Sequence, residues 1–172
     1  MIDFASKLKP DILLVSDGSG YKDGYSGYAI MAWTPDKVWK VFRMGGMSGF
    51  SVDRAEFTGC LEGLQMAWAM WGAMPQQSMT ERKPVVQWMS DRENLILSAK
   101  CVQERSNCPD LWARYEYYET IMTIQATFVN EQQTEAMQEF RTVDVQASIG
   151  REMIKNYLRN MDTLPPSFLI GM

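Results

Sequence analysis

Four consecutive apolar residues, Ile12 to Val15, form the first clear pattern in the chain, and they stop at Ser16, Asp17 and Gly18. An uninterrupted apolar run ending in a turn pair predicts a strand buried inside a sheet. Two aromatic and β-branched runs follow, "YSGYAIMAW" (25–33) and "KVWKVFRMGG" (37–46), split by the turn-like Thr34-Pro35-Asp36. They predict an antiparallel meander, so that three strands share one sheet. The period then changes. In "RAEFTGCLEGLQMAWAMWGA" (54–73), Phe57, Leu61, Leu64, Trp68 and Trp71 recur at alternating spacings of four and three, and Gly72 and Pro75 close the segment. That is the stripe of an amphipathic helix, with the Trp68 and Trp71 pair expected in the core and Cys60 beside the apolar face as a small buried residue.

The polar stretch 75–84 reads as a loop, and "VVQWMSD" (85–91) as a short strand that ends in an acid, as the first one does. A short helix over 92–100 and a loop through Cys108-Pro109 lead to 110–123, where Leu111, Tyr115, Tyr118 and Met122 keep helical spacing. "IQATFV" (124–129) predicts a last strand, 130–140 a polar, acidic loop, and 143–159 a helix carrying Val145, Ile149, Met153, Ile154 and Tyr157. The expected order is β-β-β-α-β-α-α-β-α, an α/β arrangement with a mixed sheet covered by helices. Length fits one domain over 1–172, with a core at about 11–159 and a tail at 160–172. The tail's "LPPSFLIGM" is expected to be poorly ordered or an interaction stub for a protein partner.

Composition narrows the chemistry. The 172 residues contain no histidine, which removes Ser-His-Asp and Cys-His triads, histidine–zinc sites and histidine general bases. Any reaction must run on carboxylates, lysine, cysteine or hydroxyls. Three cysteines, Cys60, Cys101 and Cys108, make no CxxC pair, so neither a disulfide framework nor a zinc site is expected. The opening "MIDFASKLKPD" lacks the apolar region of a secretory signal and no run approaches a membrane span, so a cytoplasmic location is expected. A net charge of −4 argues against a surface that is basic throughout, but leaves room for a local basic patch or an acidic site working through cations.

Acids punctuate this pattern at corresponding places. Asp17 and Asp91 end two strands that, if central and parallel, present them side by side at the carboxyl edge, where open α/β sheets bind ligands. Glu56 sits in the first turn of the first helix, and Asp144 near the amino end of the last. Each also has a purely structural reading: Asp17 as a turn former, Glu56 and Asp144 as acids near helix amino ends, and Asp91 as a helix N-cap.

Together, "SDGSG", "RAEF", "SDRENLI" and "VDVQAS", with "DLW" at 110–112, resemble the ribonuclease H family over roughly residues 11–159. The resemblance implies a five-stranded mixed sheet and catalytic, metal-binding roles for Asp17, Glu56, Asp91 and Asp144. These would hold two Mg2+ ions, with Mn2+ as a substitute, and cut the RNA strand of an RNA–DNA hybrid. Hard divalent ions prefer oxygen ligands, so a chain without histidine can do this chemistry. Without metal, four converging carboxylates should raise one another's pKa. Ser19, Ser51 and Arg54 are the expected hybrid contacts. The compact size would suit a phage-encoded enzyme working in the host cytoplasm.

Three departures stand against the family pattern. The loop before the last helix lacks the histidine common there, leaving Glu131 or Glu135 as substitutes or the whole loop as merely solvated. Arg92 follows Asp91 where small residues are usual. A basic, tryptophan-containing handle is missing, with only Lys100 and Arg105 in its place. Two other functions therefore stay open: a DNA nuclease of the resolvase or exonuclease type, and a catalytically inactive module that binds nucleic acid or protein.

Overall fold

A computed structural model describes residues 8–20, 23–49, 51–75 and 81–162. The first run forms β1 (Ile12–Gly20), the meander adds β2 (Tyr25–Trp33) and β3 (Lys40–Ser48), and the first amphipathic segment forms α1 (Val52–Ala73). Next come β4 (Val85–Ser90), α2 (Glu93–Lys100), a 3-10 turn at Val102–Glu104, α3 (Pro109–Ile121), β5 (Thr123–Phe128), α4 (Glu131–Ala136) and α5 (Gln138–Asp162). The five strands lie in the order β3-β2-β1-β4-β5. β1 is antiparallel to β2 and parallel to β4, and β5 is parallel to β4, which makes the mixed α/β sheet expected from the sequence.

Asp17 does not make a turn. β1 continues through it to Gly20, with Asp17 opposite Ala29 on β2. Parallel register pairs Leu14 with Trp88 and Val15 with Met89, and the same offset carried two residues on sets Ser16 beside Ser90 and Asp17 beside Asp91. Alternation along the strands then separates two cores. Leu14 and Trp88 face Phe57, Leu61 and Leu64 of α1 and Tyr115 of α3, whereas Val15 and Met89 face Phe140, Val143 and Ala147 of α5.

α1 reaches the end of β1 because residue 18 is glycine. A Cβ there would lie 2.7 Å from the Glu56 backbone nitrogen, so the first turn of the helix could not pack so close. α5 uses the same device at Gly27, where a Cβ would come within 2.2 Å of the Ala147 carbonyl oxygen.

That close approach corrects the expected face of α5. Val145, Ile149, Met153 and Tyr157 are exposed, and small or semi-buried residues such as Ala147 and Gly150 meet the sheet instead. Large side chains cannot enter an interface where backbone rests on backbone, so they face outward. Trp68 is likewise 42% exposed while Trp71 is buried, since the buried face of α1 centres on Cys60, Gly63, Ala67 and Met70 and Trp68 lies at its edge. Cys60, Tyr115 and Tyr118 are buried as expected.

The acidic segment 130–140 is helical, not a loop. Asn130 accepts from the Gln133 amide at 3.0 Å, and the Gln133 side chain accepts from the Asn130 amide at 2.9 Å, a capping box that starts α4. α5 begins at Gln138, so Asp144 lies inside that helix and not near its amino end. The helix runs on to Asp162, and the remainder of the expected tail lies outside the described residues. Among the described residues no helix is long and apolar enough to cross a membrane, and all three cysteines are free.

Candidate functional site

Asp17 from β1, Glu56 from α1 and Asp91 just beyond β4 each offer a carboxylate oxygen within 4.8 Å of the other two. Asp144 is not part of that triad. It reaches the same place from α5 and lines one cleft of about 350 Å³ with Asp17, Asp91, Arg92, Glu135 and Arg141. Four acids thus gather at the carboxyl end of the parallel strands, three tightly and one at the wall.

Burial and mutual repulsion dominate the electrostatics. Asp17 is only 8% exposed, and desolvation, followed by the negative charges of Asp91 and Asp144, raises its pKa from 3.8 to about 7. The Gly18 amide, donating to its Oδ1 at 2.7 Å, opposes this only in part. Glu56 is fully buried, and desolvation and the neighbouring Asp17 push it well above the ordinary carboxylate range. Its Oε1 accepts from Ser90 Oγ at 2.8 Å and from Ser16 Oγ at 3.4 Å. Its Oε2 is buried and has no hydrogen-bond partner among the described residues. Left alone, such an atom costs about 1–3 kcal/mol, so it needs a proton or a cation.

The basic residues divide into two groups. Arg105 is turned inward: its side chain is 4% exposed, lies 5.0 Å from the Trp112 ring and pairs with Glu116 and Glu119. It serves the packing of α3 and cannot replace a basic handle. Arg92 and Arg141 line the acidic cleft, and neither guanidinium forms an ion pair among the described residues.

None of the three expected substrate contacts lines that cleft. Ser19 accepts from Ser148 Oγ at 3.3 Å, tying β1 to α5. Ser51 is the N-cap of α1, accepting from the Arg54 amide at 3.3 Å. Arg54 is held by both carboxylate oxygens of Asp110, the acid of the "DLW" segment.

Sequence reasoning missed Ser16 and Ser90, which donate to Glu56, and Trp88, which donates to Ser16. A signal was present in the repeated Ser-Asp that ends two adjacent strands, because alternation sends the serine to the α1 face whenever the aspartate points away from it. Arg141 and Thr134 also line the cleft and carried no comparable signal.

No protein-family model matches the chain, and no curated protein matches it in sequence. Solved structures do. The N-terminal RNase H domain of rv2228c from Mycobacterium tuberculosis, solved as a fusion with maltose binding protein, superposes with a TM-score of 0.67 at 14% identity. The match covers 87% of this chain and 99% of that one. The chain has the ribonuclease H-like fold. LC11-RNase H1, solved in complex with an RNA/DNA hybrid, shares the ribonuclease H fold with a TM-score of 0.64 at 11% identity over 83% of this chain and 98% of its own. RNase H1 from the halophilic archaeon Halobacterium salinarum NRC-1 matches with a TM-score of 0.60 at 13% identity, covering 81% and 96%. At these identities the likeness establishes a ribonuclease H architecture. The assignment of chemistry rests on the acids.

Proposed function

We propose that this protein is a divalent-metal-dependent nuclease that hydrolyses the RNA strand of RNA–DNA hybrids in the cytoplasm. The observation that carries this reading is the Asp17, Glu56 and Asp91 triad, with a fully buried Glu56 oxygen that has no hydrogen-bond partner among the described residues, at the carboxyl end of a ribonuclease H-like sheet. The donor set fits Mg2+ or Mn2+: it is all oxygen, it is anionic, and one member is desolvated in a way that favours a bound cation. Asp17, Glu56 and Asp91 would hold one ion, and Asp144 with Asp17 and Asp91 would complete the site for a second. Such ions supply the charge that activates a water and stabilises the attacking and leaving oxygens of a phosphodiester.

The rest of the cleft complements that role. Arg92 and Arg141 offer guanidiniums on the walls that form no ion pair among the described residues, suited to phosphate oxygens flanking the scissile bond. Glu135, on α4, lines the cleft beside Asp17, Asp91 and Asp144, and Glu131 does not. Ser19, Ser51 and Arg54 would touch the hybrid from outside the cleft, Ser51 and Arg54 from positions held by the helix cap and by Asp110. Choice of an RNA-containing substrate draws on the hybrid bound to the similar LC11-RNase H1, in which a 2′-hydroxyl can distinguish the strands.

The test is cleavage of a strand-labelled RNA–DNA hybrid with Mg2+ or Mn2+, beside DNA duplex, RNA duplex and single strands, using the native chain and Asp17→Asn. Metal-dependent cutting of the hybrid's RNA strand, lost in the variant, is expected. Cutting of DNA instead would establish a DNA nuclease on this fold, and no cutting of any substrate by folded protein would leave a binding module.

A further inference from the structure

The buried polar atoms on the α1 side of the sheet form a directed chain that ends on Glu56. An indole N–H and a backbone N–H can only donate. Trp88 Nε1 donates to Ser16 Oγ at 2.9 Å, and the Arg92 amide donates to Ser90 Oγ at 3.1 Å. Each serine therefore receives a hydrogen from behind and has its own single hydrogen left for Glu56 Oε1, which lies 3.4 Å from Ser16 Oγ and 2.8 Å from Ser90 Oγ. All four bonds run one way. Oε1 is committed as an acceptor, while Oε2, equally buried, receives nothing from the described residues and lies where it would meet a side chain at position 18, at 3.0 Å from a Cβ there.

We propose that Trp88 is a positioning residue, whose indole N–H acts through Ser16 to fix Oε1 of Glu56 as a hydrogen-bond acceptor and so reserve Oε2 for a divalent cation. The inference rests on the metal-site reading above and adds to it a residue buried in the core, on the strand that ends at Asp91. Trp88 is fully buried against Tyr115, with ring centroids 5.9 Å apart, and a phenylalanine would supply a comparable apolar ring. The N–H is what distinguishes the two. Without it the Ser16 hydroxyl has no fixed donor behind it and can turn its hydrogen away from Glu56, which loosens the carboxylate about its side-chain torsions. The competing possibility is that Ser16 merely satisfies a buried indole, in which case the dependence stops at Ser16 and never reaches the cation.

Binding of Mn2+ alone, followed by the paramagnetic resonance signal of the free ion, separates these. The proteins are wild type, Trp88→Phe, Ser16→Ala, the double variant, and Trp71→Phe as a buried tryptophan outside the chain of bonds. Loss of an outer partner of a metal ligand typically weakens metal binding about 10–100-fold, and a decrease of about tenfold is expected in Trp88→Phe and in Ser16→Ala. The double variant should be no weaker than Ser16→Ala, because the two act in series, and Trp71→Phe should bind as wild type does. Wild-type affinity in either Trp88→Phe or Ser16→Ala, or additive losses in the double variant, would overturn the positioning role while leaving the metal site standing. Failure of the wild type itself to bind Mn2+ would overturn both. Should Trp88→Phe not fold, the benzothienyl isostere of tryptophan at position 88, which lacks only the N–H, takes its place with the same expected loss, and wild-type affinity in it would overturn the role.

Discussion

Glu56 and Asp144 approach the same end of the sheet from opposite faces, on helices that pack against it in different ways. Glu56 is in the first turn of α1, fully buried and gripped by two serines on one oxygen. Asp144 stands on an exposed face of α5 with no side-chain hydrogen bond among the described residues. One acid is built into the core at a cost in desolvation, and the other can adjust its side chain without disturbing any packing. Fixing an acid by burial raises its need for a proton or a cation, whereas leaving it on a helix surface lets its side chain reorient freely. The two carboxylates are therefore expected to behave differently when each is neutralised.

The largest contrast should come from Glu56→Gln against Asp144→Asn. Glu56→Gln is expected to lower metal-dependent cleavage by more than about 100-fold, beyond what loss of an outer partner costs. It should also raise the metal-free melting temperature by a few degrees, since it removes an acid whose ionisation is disfavoured by burial and by Asp17, and about 1 kcal/mol is worth roughly 2–4 °C at this size. Asp144→Asn should reduce cleavage without moving that temperature. A stabilised Asp144→Asn, measured by calorimetry, would erase the distinction.

The next contrast is with pH. Asp17 titrates near 7 in the folded metal-free protein against 3.8 ordinarily, so between those values the folded state keeps a proton that the unfolded state has released. Stability of the metal-free protein should therefore be full below about pH 4 for this group and fall as pH rises toward 7. At roughly 1.36 kcal/mol per pKa unit the fall is bounded at about 4 kcal/mol. Saturating Mg2+ or Asp17→Asn should flatten this slope in denaturant titrations across pH, and an unchanged slope in Asp17→Asn would contradict the assignment.

The arginines give a smaller contrast of the same kind. Arg105→Met should cost about 1–3 kcal/mol, because Arg105 also donates to the Ser98 and Ala99 carbonyls, and it should leave the salt dependence of hybrid binding alone. Arg92→Gln and Arg141→Gln should each reduce the slope of log affinity against log salt by about 1, with stability unchanged. Smallest of all should be Ile149→Lys on the outer face of α5, within about 0.5 kcal/mol, beside a loss of about 1–3 kcal/mol for Ala147→Leu at the contact with Gly27.

How much of this was legible in the sequence varied with the kind of signal. Strands that are buried on both faces announce themselves by continuous apolar runs, so β1, β4 and the convergence of Asp17 with Asp91 could be read directly. The contribution of α1 was legible for the same reason, since Phe57, Leu61 and Leu64 keep a strict stripe. α5 was misread because periodicity counts large apolar residues, and its interface is made by Ala147 and Gly150 against backbone. The outward stripe of Val145, Ile149 and Met153 mimics a core face. The helix at 131–136 was hidden by its polarity, although Asn130 and Gln133 carried the capping-box spacing. Nothing in the sequence singles out Trp88, because its contribution lies in the direction of one hydrogen bond, which no residue spacing encodes.

The proposed function requires that Oε2 of Glu56, buried and without a hydrogen-bond partner among the described residues, belong to a divalent cation site shared with Asp17 and Asp91. Anomalous diffraction from crystals soaked in Mn2+ tests it most directly. A peak in contact with Asp17, Glu56 and Asp91, on the Oε2 side of Glu56, is the expected result. Well-ordered crystals at saturating Mn2+ with no peak there, or with Oε2 still lacking any partner, would contradict it.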